Sequence, residues 1–148
     1  MSSPRATDEA ALRGLVEAYA SGVDTRCYDA VAALFTADGV LATSSTPGGG
    51  VERETVGREA IARALHGLDR YEATLHVVAN HATSVDGDRA TGETGCLAPH
   101  VVRGDAGGCT DRVLAIRYHA PFERTATGWA ISRRELRLLW IERRPVER

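Results

Sequence analysis

No apolar run in the chain approaches the roughly 20 residues that a membrane span requires, so it does not read as a membrane protein. Its three cysteines, Cys27, Cys96 and Cys109, include no pair at C-x-x-C spacing; neither a disulfide framework nor a zinc site is indicated, and the thiols read as reduced and structural. No excess of one charge exists either. Against 20 acidic residues stand 18 basic ones, a net charge of -2, which leaves no electrostatic footprint for nucleic acid. The basic tail "IERRPVER" reads as a solvated end. At the other terminus, "MSSPRATDEAALRG" has neither a basic start nor an apolar signal core, and the expected location is the cytoplasm. G-x-S-x-G, P-loop and dinucleotide fingerprints are missing as well.

What is present points to one globular domain spanning residues 1–148. A chain of 148 residues buries roughly 70% of its unfolded surface, and 43% apolar with 26% charged residues is an ordinary soluble balance. The first half is helical. Leu12, Leu15, Val16, Tyr19 and Val23 recur at three- and four-residue spacing, with Thr7 or Asp8 available as N-cap and Gly22 weakening the far end. "RCYDAVAALFTADG" reads as a second short helix stopped by Gly39, followed by the short strand "VLAT". "SSTPGGGVERE" is a flexible loop, either an overhang of a site or plain surface. "GREAIARALHGL" is a third helix, with Ile61, Leu65 and Leu68 on its buried stripe.

From residue 72 onward the apolar period drops to two, giving four long strands separated by "DGD", "GDAGG" and "TATG". Helices followed by an antiparallel meander indicate an α+β fold. Alternation assigns faces. His76 shares one with Val78 and Asn80, and His81 falls on the other with Leu75, Val77 and Ala79. His100 shares a face with Cys96, Ala98 and Val102. Leu114, Ile116, Tyr118, Ala120 and Phe122 form one apolar row. In the last strand Trp129 and Ile131 have one parity and Leu136, Leu138 and Trp140 the other, which predicts a β-bulge between Ser132 and Glu135 that bends the sheet. The outward row Arg133, Glu135 and Arg137 fits a solvated face or a polar contact equally well.

"YASGVDTRCYDAVAALFTADGVL", "TLHVVANH", "GCLAPHVV" and "RYHAPFERTATGWAISRREL", in this order, resemble the SnoaL-like and scytalone dehydratase-like branch of the nuclear transport factor 2-like superfamily. The resemblance covers nearly the whole chain. It implies a cone of three N-terminal helices packed in a strongly bent, mostly antiparallel sheet, usually paired into a homodimer. It also implies a pocket lined by an Asp late in the first helix and a His on each of two adjacent strands, matching Asp24, His76 and His100, with the family's Pro recurring as Pro99. Enzymes of this branch work without cofactor or metal.

A carboxylate that accepts from one imidazole nitrogen fixes the tautomer and raises the basicity of the other. The expectation is that Asp24 orients His100 as principal general acid/base, with His76 holding water or the departing hydroxyl. Asp24 alternatively caps the helix beginning near Arg26 or Cys27. Val23 stands where scytalone dehydratases carry a Tyr, and Tyr118 where they carry a pocket Asn. Tyr19, at a Tyr-to-Asp spacing similar to that of bile-acid dehydratases, either supports an enolate oxygen or is a core residue of the helix stripe. Leu114, Ile116, Tyr118, Phe122, Leu138 and Trp140 are expected to line the pocket. The resulting expectation is a dehydratase for a small cyclic apolar carbonyl compound; a polyketide cyclase, a double-bond isomerase and a non-catalytic ligand-binding or dimerisation module are the alternatives.

Overall fold

The computed structural model describes residues 4–148; the first three residues of the N-terminal segment lie outside the described residues. Helix α1 (Pro4–Asp24) buries the predicted stripe, with Leu12, Val16, Tyr19 and Val23 all at most 5% exposed. It starts ahead of Thr7 and Asp8, which therefore lie within it. The Asp8 carboxylate instead accepts from Trp129 Nε1 at 2.9 Å and Arg124 Nη2 at 3.0 Å, fastening the helix to distant strands. Gly22 has a packing role rather than a terminating one: a Cβ there would lie 2.5 Å from Val31 Cγ2.

The second helix is shorter than predicted. Helix α2 (Tyr28–Ala33) ends before Phe35, which already belongs to strand β1 (Phe35–Thr43) and pairs with Ile131. Burial of both side chains explains why these residues extend: each is fully shielded in the shared core. Strand β2 (Arg53–Val56), concealed in the sequence behind the Ser/Pro/Gly loop, returns along β1. Helix α3 (Arg58–Leu65) then runs into a 3₁₀ turn, His66–Arg70.

The remaining strands are β3 (Ala73–Thr74), β4 (Val77–Asp86), β5 (Arg89–Arg103), β6 (Cys109–Thr125) and β7 (Gly128–Val146). The sheet runs β2-β1-β7-β6-β5, with β3 and β4 both on the outer side of β5. The β1–β7 pairing is parallel and the other pairings are antiparallel. Gly87, at φ +60° in the β4–β5 turn, supplies a left-handed conformation that few other residues adopt cheaply. The α+β expectation holds: three helices pack on the concave side of a strongly curled, mostly antiparallel sheet.

Three bulges in the antiparallel pairings, besides a register shift in β1 between Phe35 and Val40, accompany the curl. In β7 an extra residue sits between Ile131 and Glu135, opposite Phe122 and His119, at the predicted place. A second lies at Leu139, because Ala115 pairs with Trp140 while Ile116 pairs with Leu138. The third is in β4, where Val78 pairs with Cys96 but His81 pairs with Thr94. Gly95 makes room for it, since a Cβ there would collide with the Asn80 side chain. This third bulge overturns the parity argument for the two histidines. His81 turns inward beneath α1, its Nδ1 2.9 Å from Thr94 Oγ1. Among the described residues no helix is long and apolar enough to cross a membrane.

Candidate active site

Asp24 is the last residue of α1, and the chain turns off the helix immediately beyond it. Cys27 N donates to Gly22 O at 2.8 Å and Arg26 N to Val23 O at 3.2 Å, the reciprocal pair that closes a helix through a left-handed residue. That residue is Arg26, at φ +61°, where glycine would be free of strain. The bend aims its guanidinium at β3: Nη1 donates to Thr74 Oγ1 at 3.2 Å and Nη2 to Tyr71 O at 3.2 Å. Thr74 Oγ1 passes its own proton to Asp24 Oδ1 at 3.0 Å.

The partner of Asp24 is His76. The His76 ring Nδ1 lies 2.7 Å from Asp24 Oδ1, and the His76 backbone N–H donates to Oδ2 at 2.7 Å. Burial pushes the Asp24 carboxyl up, but the His76 ring and backbone donors, with Thr74, outweigh it and hold the group below its ordinary range. A carboxylate can only accept, so Nδ1 carries the proton and Nε2 is left as the basic lone pair. The cap role considered for Asp24 is absent: Cys27 is the N-cap of α2 and no side chain bonds there.

His100 does not meet Asp24, which corrects the expected pairing. Its Nδ1 lies 2.7 Å from Ala98 O on its own strand, and its backbone N–H donates to Asp111 Oδ1 at 3.1 Å. The register Thr74↔His100 between β3 and β5 places the His76 backbone, not the His100 ring, against the helix terminus. A carbonyl also only accepts, so His100 too presents a bare Nε2. Burial holds its pKa down to about 4, aided by the charges of His76 and Arg112 and only partly opposed by Ala98. His100 is therefore neutral near pH 7. The two imidazoles stand edge to face with centroids 5.5 Å apart, and the Tyr71 ring centroid lies 4.8 Å from that of His100.

Tyr19 is a core residue of the helix stripe, as one of its two readings has it, and it also reaches the cavity described below. Its ring packs 6.2 Å from Phe35 and 6.3 Å from Tyr118. Between Tyr19 and Tyr118 lies a residue not singled out in the sequence, Arg134. It is 2% exposed, with its guanidinium 4.1 Å from the Tyr19 centroid and 3.8 Å from that of Tyr118. Its Nε and Nη1 are shielded and have no hydrogen-bond partner. Desolvation raises both tyrosine pKa values, so each phenol stays a donor. Arg134 has the same parity as Leu136 and Leu138, the signal that would have found it.

A cavity of ≈ 530 Å³ opens between α1, α3 and the sheet. His76 and His100 line it, as do Tyr19, Tyr118, Leu114, Ile116 and Leu138. Phe122 and Trp140, expected on its wall, are elsewhere. Phe122 is 1% exposed in the core under α1, and Trp140 is 57% exposed because the bulge at Leu139 turns it outward. Among the described residues no three His, Cys, Asp or Glu side chains converge as a metal-binding group.

The chain and its fold have similar counterparts. An uncharacterised protein of Mycobacterium tuberculosis is 29% identical over 131 residues, which cover 86% of this chain and 83% of that one. A Kribbella flavida protein is similar in structure with a TM-score of 0.81 and 25% identity, over 93% of this chain and 95% of that one. The fold is also similar to that of a Novosphingobium aromaticivorans protein provisionally assigned as a scytalone dehydratase (TM-score 0.80, 21% identity, covering 97% and 91%). It is likewise similar to that of a hexachlorocyclohexane dehydrochlorinase of Novosphingobium barchaimii (0.77, 19%, 96% and 92%). Residues 4–135 match the SnoaL-like domain family, and the chain belongs to it.

Proposed function

We propose that the protein is a lyase of the dehydratase type, acting on a small cyclic, largely apolar carbonyl compound by general acid/base catalysis with its own side chains. The observation that carries this reading is the Asp24–His76 contact: a partly buried carboxylate 2.7 Å from Nδ1 leaves Nε2 with its free lone pair at the wall of a cavity lined by both apolar and polar side chains. His76 Nε2 removes the proton next to the substrate carbonyl. The electrons move onto the carbonyl oxygen, where the protonated phenols of Tyr19 and Tyr118, with the Arg134 guanidinium over their rings, favour the developing charge. Collapse of the enolate expels the β-hydroxyl, which takes the proton held by His76 and leaves as water.

His100 has a different task from the one first expected of it. Neutral and with a bare Nε2, it has no ring proton to give the cavity, but it accepts from the leaving hydroxyl and orients it. That acceptor favours elimination over a simple double-bond shift, which needs only the base. Structural relatives named as a scytalone dehydratase and a dehydrochlorinase, both elimination enzymes by name, support the same reaction class.

The test is enone formation from 3-hydroxycyclohexanone and its bicyclic analogues, followed by ultraviolet absorbance. His76→Gln should lower turnover by roughly 100- to 10,000-fold, the range for one positioned acid/base group, and His100→Gln by less. Turnover by His76→Gln at the wild-type rate would overturn the assignment of the base.

A further inference from the structure

One stretch of the cavity wall holds only hydrogen-bond donors. Tyr71, directly after the 3₁₀ turn, is 9% exposed and meets His100 edge to face. Its phenol oxygen accepts from two guanidiniums at once: Arg70 Nη2 at 3.0 Å and Arg112 Nη1 at a longer 3.5 Å. With both lone pairs engaged, its own O–H proton is left to give away. Arg112 is the inward-facing neighbour of Leu114 on β6 and lies opposite His100 in the register; its Nε is shielded and unpartnered. Arg70, Tyr71 and Arg112 all line the cavity.

Two like charges converging on one neutral oxygen favour a counter-ion, most of all at the half-buried Arg112, and the described residues do not supply it. The carboxylates of the surrounding segments are committed elsewhere. Glu52 is held by Ser44, Ser45 and Thr46 of its own loop and stays ionised, its pKa lowered to about 2. Asp69 takes Tyr28 and His66. Glu72 pairs with Arg103, and Asp111 with Arg144 and the His100 N–H. Among the described residues, neither Arg70 nor Arg112 has a carboxylate within ion-pair distance. Leaving a half-buried guanidinium without a partner is costly unless a ligand completes it.

We propose that Arg70, Arg112 and the Tyr71 hydroxyl form a carboxylate subsite, so that the substrate is a cyclic oxo acid whose ionised carboxyl group docks here beside His100. The inference rests on the reading of the cavity as a substrate pocket and deepens it. An ionised carboxylate only accepts hydrogen bonds, which matches a wall that only donates them, and two guanidiniums give it charge as well as direction. The docked carboxylate fixes which ring carbon faces His76 Nε2, so the subsite sets regiochemistry as well as affinity.

The experiment uses a matched pair of probes, 2-naphthoate and 2-naphthamide, titrated calorimetrically into the full chain at pH 7. They share shape and apolar area and differ in charge. The acid should bind at least about tenfold more tightly, roughly 1.4 kcal/mol. Arg70→Gln with Arg112→Gln should abolish that preference while naphthamide binding stays as it was, showing the cavity intact. Arg70 is exposed, so Arg70→Gln alone keeps the test decisive should the double variant not fold; it should reduce the preference by about threefold or more. Equal binding of the two probes, no binding of either, or a preference that stays undiminished in Arg70→Gln overturns the subsite. The dehydration assay above uses neutral hydroxyketones, so loss of the lyase reading and loss of the subsite are separate results.

Discussion

Replacing Asp24 by Asn tests the centre of the site without a substrate. The carboxylate takes three donors: the His76 ring at 2.7 Å, the His76 backbone N–H at 2.7 Å and the Thr74 hydroxyl at 3.0 Å. An amide of the same shape keeps one oxygen for two of them and turns an NH₂ group against the third, so one donor is left facing another. A hydrogen bond to a charged group contributes about 1.5–3 kcal/mol, and an orphaned buried partner costs a further 1–3 kcal/mol. Asp24→Asn should therefore lose about 3 kcal/mol at pH 7, roughly 10 °C in Tm for a chain of 148 residues. The pH dependence follows from the depressed carboxyl pKa, below its ordinary 3.8. A group depressed on folding contributes stability that is complete above its unfolded pKa and vanishes as pH falls through the folded value. The gap between wild type and variant should thus persist from pH 7 down to about 4 and close below it. Urea unfolding followed by circular dichroism, at pH 7 and at successively lower pH, measures both. A loss under about 1 kcal/mol at pH 7, or a gap that does not change with pH, would refute the argument.

Two further outcomes follow from the buried groups. Arg134→Met should cost less than about 2 kcal/mol despite removing a side chain that is 2% exposed, because losing two ring contacts of ~2 kcal/mol each is offset by relieving two unpartnered donors at ~1–3 kcal/mol each; a drop of 4 kcal/mol or more in the same urea assay would mean those donors are satisfied. His100, with a pKa held down to about 4, should show an imidazole resonance that does not move between pH 8 and 5, assigned by its loss in His100→Gln, and a midpoint near its ordinary 6.5 would contradict the buried, carbonyl-bound ring.

Much of this was legible in the residues. The stripe of α1 ends one residue before Asp24, and the parity switch in the last strand marked the bulge between Ile131 and Glu135. Parity failed where a bulge left no hydrophobic trace. At Ala79 and Asn80 nothing in the alternation shows the inserted residue, so His81 was counted outward. At Leu139 both neighbours are apolar, so Trp140 read as pocket wall when it is surface. The choice between His76 and His100 as partner of Asp24 turns on hydrogen bonds of 2.7 Å, and a strand register sets it. Arg134 was missed for another reason: arginine is so rarely buried without a partner that its charge outweighs its parity.

That last case generalises within this molecule. Arg70 and Arg112 on the cavity wall and Arg134 over the Tyr19 and Tyr118 rings have no carboxylate in ion-pair contact among the described residues, and the sequence presents them as ordinary surface residues in a chain of nearly balanced charge. Their acidic counterparts are not missing from the composition; they are spent on loops, turns and strand ends. A residue count cannot distinguish a cation neutralised by a neighbour from one held in reserve for a ligand. Only the partner of each carboxylate does so. It is the commitment of Glu52, Asp69, Glu72 and Asp111 to other donors that leaves Arg70 and Arg112 without a carboxylate on the cavity wall.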